Sequence, residues 1–160
     1  MNTLKTLKRV SALLLLIPLF FALPLKAQSR LFAVGGNANG QFGDGTTTQQ
    51  NLPVRSGTLT GIKSVAAGFA FTVAVGQDGT VSRWGDNSSG QMGIDSFTSS
   101  STPVSIVGLT GISSVSVASL GISVLALKTN GTVCAWGDNV SGQLGDGTTL
   151  TQLTPTPIFC

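Results

Sequence analysis

The chain has 160 residues, 41% of them hydrophobic and only 9% charged, with 21 glycines and a formal net charge of +3. It holds neither His nor Glu, which excludes a His-assisted nucleophile and leaves Asp to carry any acid-base chemistry. Two cysteines are too few for a disulfide framework or a cysteine zinc site.

Residues 1–27 read as a secretory signal. Lys5, Lys8 and Arg9 form a basic start, residues 10–23 are an apolar run broken by Pro18, and Leu25-Lys26-Ala27 offers a cleavage site before Gln28. A membrane anchor is the second reading, but the run is shorter than the roughly 20 residues of a spanning helix. No Cys follows the site, so a lipoprotein is not indicated. Residues 28–160 would remain, with five basic side chains against six Asp and a net charge of −1. The whole-chain pI therefore belongs to the targeting segment. The exported domain has no charge argument for a nucleic-acid partner, and no membrane contact is expected after cleavage.

From residue 62 the pattern is a succession of short strands. Residues 62–68 end at Gly68, and residues 69–75 are apolar and β-branched, as in a buried strand. Residues 76–79 form a turn around Asp78-Gly79, and residues 80–84 return from it. A Gly-rich loop follows, then a strand at residues 102–107 whose Pro103 suits an edge or a strand start. The order recurs as a strand at 123–127, a turn at 128–131 and a strand at 132–136. No helix is predicted after the signal.

The loops are copies of one phrase: Gly36-Asn37-Ala38-Asn39-Gly40-Gln41-Phe42-Gly43, Asp86-Asn87-Ser88-Ser89-Gly90-Gln91-Met92-Gly93 and Asp138-Asn139-Val140-Ser141-Gly142-Gln143-Leu144-Gly145. Their Gly-Gln pairs begin at 40, 90 and 142, a period of 50 and then 52 residues, with the two extra residues placed near Leu120-Gly121. Leu59-Thr60-Gly61-Ile62 recurs at 109–112, residues 78–85 recur at 130–137 with Trp84 matched by Trp136, and Asp44-Gly45-Thr46-Thr47 recurs at 146–149. Such a period signals stacked modules like propeller blades. The units run approximately over residues 31–84, 85–136 and 137–160.

In this fixed order the motifs make the chain resemble the regulator of chromosome condensation repeat family over residues 31–160. The resemblance implies an all-β fold of propeller-type blades, with about two and a half repeats present of a ring that is typically of about seven. The family's eukaryotic namesake binds chromatin and exchanges guanine nucleotide on a small GTPase. Other members are interaction modules, and secreted bacterial relatives include β-lactamase inhibitors. The chain departs from the pattern in three places. It has Phe71 near a position where the family often carries His. Val34 stands opposite Trp84 and Trp136. The third copy stops after residues 154–160, where the others continue into Leu-Thr-Gly-Ile. An unfinished array is expected from that stop, through a truncated reading frame or a gene fragment, and with it marginal stability, missing downstream repeats or self-association through an open apolar face and strand edge.

Candidate chemistry is sparse. The Gly-rich phrase lacks the Lys-Ser/Thr of a phosphate loop, and neither Asp-led copy has the alternating acids and closing Glu of a calcium loop. No cofactor, metal or catalytic residue is assigned. Asp86 and Asp138 are expected to bond nearby backbone. Gly40, Gly43, Gly85, Gly90, Gly93, Gly137, Gly142 and Gly145, with Trp84 and Trp136, are expected to be structural elements of the blades. Cys134, matched by Ser82, reads as a small core thiol, and a bond to Cys160 stays open. Phe69, Arg83, Phe97 and Leu120 do not recur between copies and are the candidate partner-binding residues.

The expected function is that of an exported, non-enzymatic module that binds an unidentified protein through its loops. The alternatives are a secreted enzyme inhibitor, a nucleotide exchange regulator (disfavoured by the signal), and a non-functional gene fragment.

Overall fold

A computed structural model describes residues 29–117 and 121–159. The signal segment, Leu120 and Cys160 lie outside the described residues, which are all-β. The strands are β1 (Phe32–Gly35), β2 (Gln50–Arg55), β3 (Ile62–Ala67), β4 (Phe71–Gly76), β5 (Val81–Gly85), β6 (Ser100–Ser105), β7 (Ile112–Val117), β8 (Ser123–Lys128), β9 (Val133–Gly137) and β10 (Gln152–Phe159). β1 and β2 form a two-stranded ribbon, and β3–β6 and β7–β10 form two four-stranded antiparallel sheets, each ordered as in the chain. The sheets begin at Ile62 and Ile112, so they are out of phase with the sequence units that start at the Gly-rich phrase.

Local chemistry explains these elements. β4 reads Phe-Thr-Val-Ala-Val-Gly and is buried on both faces up to Gly76, because a strand packed between neighbours favours β-branched residues throughout. At the β4–β5 turn, the N–H and hydroxyl of Thr80 donate to Asp78 Oδ1 at 3.0 and 2.8 Å. Thr132 does the same to Asn130 at 3.1 and 2.8 Å. Two different sequences therefore close the same turn.

The two sheets stack face to face. Phe71, Val73, Val75 and Val81 of the first meet Ile112, Val124, Ala126, Cys134 and Trp136 of the second, with Ile106 and Leu109 from the connection. Each large side chain buried here contributes on the order of 1.5–3 kcal/mol. Cys134 is buried within this core with a free thiol. The β5–β6 pairing slips between Arg83 and Gly85, and the β9–β10 pairing slips between Ala135 and Gly137. Trp84 and Trp136 sit beside these slips and keep the regular alternation of their strands, each on the opposite face to the residue before it, with Trp84 paired to Thr72 and Trp136 to Val124.

Candidate functional site

The Gly-rich loops are built around a buried amide. Asn87 is fully buried. Its Oδ1 accepts from the Met92 N–H at 2.8 Å, and its Nδ2 donates to the carbonyls of Ser96 at 2.7 Å and Thr98 at 3.2 Å. Asn37 serves Phe42, Thr46 and Thr48 in the first loop, and Asn139 serves Leu144 and Thr148 in the third. One side chain thus ties a turn to the far limb of its own loop. The Asp before it has a lesser part: Asp86 and Asp138 accept from the Gln91 and Gln143 side-chain amides at 2.8 and 2.6 Å.

This loop is also a seat. Trp84 Nε1 donates to the Gln41 carbonyl at 2.8 Å, and Trp136 Nε1 donates to the Gln91 carbonyl at 2.9 Å. Both tryptophans are fully buried. Each indole therefore reaches out of its own sheet into the loop of the preceding one. A Cβ on Gly43 would stand 2.7 Å from Trp84 Nε1, and a Cβ on Gly93 would stand 2.7 Å from Trp136 Cδ1. Gly43 and Gly93 have φ of 72° and 67°, so these positions require glycine for space and for backbone conformation. Gly40, Gly85, Gly90, Gly137, Gly142 and Gly145 share the positive φ.

Four residues stood out in the sequence as partner contacts. Phe69 and Phe97 are exposed. Arg83 is not at the surface: it is only 4% exposed. It faces the seam because it shares a sheet face with Val73 and Val81, and its sheet is stacked there. Its Nη1 lies 3.5 Å from Met92 Sδ, its Nε has no partner, and burial lowers its pKa. It lines a cleft of about 700 Å³ with Asp95, Lys128 and Thr154. Leu120 lies outside the described residues.

The antiparallel order puts the 68–70, 86–99 and 138–151 connections at one end of the sheets. Phe69, Phe97, Val140 and Leu150, between 60% and 73% exposed, all belong to that end. Among the described residues, no three side chains of metal-ligating type come together. The buried Asn residues are what the sequence patterns do not single out. The available signal was Asn in all three loops, where the preceding Asp is replaced by Gly36 in the first.

Comparison with known proteins follows the same repeats. The family profile described as "Regulator of chromosome condensation (RCC1) repeat" matches residues 28–75, 78–122 and 130–159, and a second profile of the same description matches residues 62–91. The human E3 ubiquitin-protein ligase HERC2 is 31% identical over 136 residues, covering 84% of this chain and 3% of that protein. Among solved structures, Prp20p from Saccharomyces cerevisiae has a TM-score of 0.70 at 23% identity, covering 82% of this chain and 34% of its own. Human WBSCR16 has a TM-score of 0.68 at 25% identity, covering 80% of this chain and 34% of its own. The chain thus spans about a third of the propellers it resembles. Its matched segments take in most of the sequence, and it belongs to the regulator of chromosome condensation (RCC1) repeat family.

Proposed function

We propose that this propeller-repeat chain is an exported, non-enzymatic module that binds a protein partner through the loops at one end of its sheets. The observation that carries this reading is the grouping of Phe69, Phe97, Val140 and Leu150 at that end, each largely exposed. Large apolar side chains exposed on loops that a strand scaffold positions are what a protein interface uses as anchors. The solved Prp20p is described by its binding to Gsp1p and histones, so the same fold supports protein recognition elsewhere. Export rests on the basic start and apolar run of residues 1–27.

The test is site-specific photocrosslinking in the producing cell, with the probe placed at Phe69, Phe97 or Val107. Val107 is 96% exposed but belongs to the opposite end. Adducts at the first two positions alone support the reading, and adducts at Val107 alone refute it. N-terminal sequencing of the same material should begin at Gln28, whereas an intact Met1 in cytosol overturns export.

A further inference from the structure

We propose that the cleft between the β3–β6 and β7–β10 sheets binds a small organic monocarboxylate, with the buried guanidinium of Arg83 anchoring its charge and the apolar walls holding its body. The site belongs to the seam and not to the exposed loop side chains, so it stands or fails separately from the loop reading above.

Arg83 is a charge without a partner. It is only 4% exposed, its Nη1 meets the Met92 sulfur at 3.5 Å, and its Nε has no acceptor among the described residues. A thioether is a weak acceptor, and no carboxylate of the described residues offsets the burial that lowers the pKa of Arg83. The repeat does not demand this residue. Ala135 holds the same place in the next sheet, paired to Leu125 as Arg83 is paired to Val73, and is fully buried. A guanidinium kept inside without an acceptor lowers stability, and an anion entering from outside restores the balance. With Nη1 turned to Met92, the free edge of the fork is the one formed by Nε and Nη2, which matches the two oxygens of a carboxylate.

The cleft supplies the rest. Its volume is about 700 Å³, within the range of small-ligand pockets. Val104, Ile106, Leu109, Pro155 and Pro157 line it from both sides of the seam, together with Lys128 and Asp95. Arg83 and Lys128 against Asp95 leave a single positive charge in the walls, which suits a monoanion better than a dianion. Apolar walls around one buried charge suit an organic acid better than an inorganic ion.

Octanoate is the probe, in calorimetric titration of the purified chain, with octanol lacking the charge and inorganic phosphate lacking the apolar body. Octanoate should saturate with a Kd below about 1 mM, and each methylene removed toward butyrate should weaken binding by up to about fourfold. Octanol and phosphate should each bind at least about tenfold more weakly. Arg83→Gln should cost octanoate at least about tenfold in affinity while urea unfolding shows the chain still folded. Val104→Glu blocks the site in another way. Val104 lies across from Arg83 on β6 and is 40% exposed, so the introduced carboxylate takes the guanidinium from within. That variant should lose octanoate binding and unfold at a higher urea concentration than the parent. An octanoate affinity unchanged by either substitution overturns the assignment. So does octanol or phosphate binding as tightly as octanoate, or octanoate failing to saturate below about 1 mM.

Discussion

Replacing Asn87 with Ala is the most direct trial of how a Gly-rich loop is held. The side chain is fully buried and makes hydrogen bonds to the Met92 N–H, the Ser96 carbonyl and the Thr98 carbonyl. The three losses differ in kind. Ser96 is half-buried and Thr98 exposed, so water can meet their carbonyls, whereas Met92 is fully buried and its N–H is stranded. A stranded buried donor costs about 1–3 kcal/mol, and a bond replaced by water about 0.5 kcal/mol. The sum is about 3 kcal/mol, which in a domain of this size lowers Tm by about 10 °C. Urea unfolding followed by the fluorescence of Trp84 and Trp136 reads the loss at both seams. Asn87→Asp keeps the acceptor for Met92 but sets a carboxylate against two carbonyls. It should therefore be unstable at neutral pH and recover as acid protonates it. An Asn87→Ala chain within about 0.5 kcal/mol of the parent, with an unchanged m value, would refute the account of the loop.

Three further outcomes are expected. Gly93→Ala and Gly145→Ala impose similar backbone strain, but only the first drives a methyl into an indole; it should cost about 1–3 kcal/mol more in urea unfolding, and equal losses would mean the indole yields freely. Arg83→Met removes a buried guanidinium whose Nε has no partner and should stabilise the chain by about 1–4 kcal/mol, whereas destabilisation would show that the charge is met. The Thr80 N–H and hydroxyl hold the pKa of Asp78 below its ordinary 3.8. Its contribution is therefore present above that value and lost as pH falls through the lower folded one. Asp78→Asn copies the Asn130 turn, so it should leave the neutral-pH Tm unchanged and flatten the acid limb. A Tm series across acid pH that keeps its slope in the variant would count against the assignment.

The strands were legible because local pattern decides them: β4 and β5, and β8 and β9 in the next copy, follow the β-branched runs and the Asp-Gly and Asn-Gly turns. The sheet boundaries were less legible, since a periodic sequence has no origin and only pairing shows that a sheet opens at Ile62. Drift in the middle copy changed the residue and kept the conformation: Asp95 takes the place of Gly45 and Gly147 and holds a φ of 52°. The seat was out of reach for a different reason. Trp84 meets Gln41 across 43 residues and Trp136 meets Gln91 across 45, and the acceptor in each case is main chain. A carbonyl leaves no mark on residue choice, so the phrase displayed its glycines and kept their purpose hidden. Arg83 stands out in the sequence because it does not recur between copies, but non-recurrence does not report exposure, and stacking of the second sheet puts the side chain within.

Beside the apolar core, the joint between sheets includes a contact made only of a backbone atom and an absent Cβ, and this bears on how the array can change over time. Phe42, Met92 and Leu144 occupy the same place in the three loops and all are buried, although they differ in shape and chemistry. A copy can thus diverge at that position without losing its capacity to receive a neighbour. Duplication within a gene would yield a unit that already fits on both sides. Exchange of units between genes would keep this contact without a matched pair of mutations, because the loop backbone that receives the indole is common to the copies, and only the side chains of the sheet face would need to adjust. The connector is a standard fitting, and repertoires of these repeats can grow by shuffling whole units, with refinement of each surface left for later.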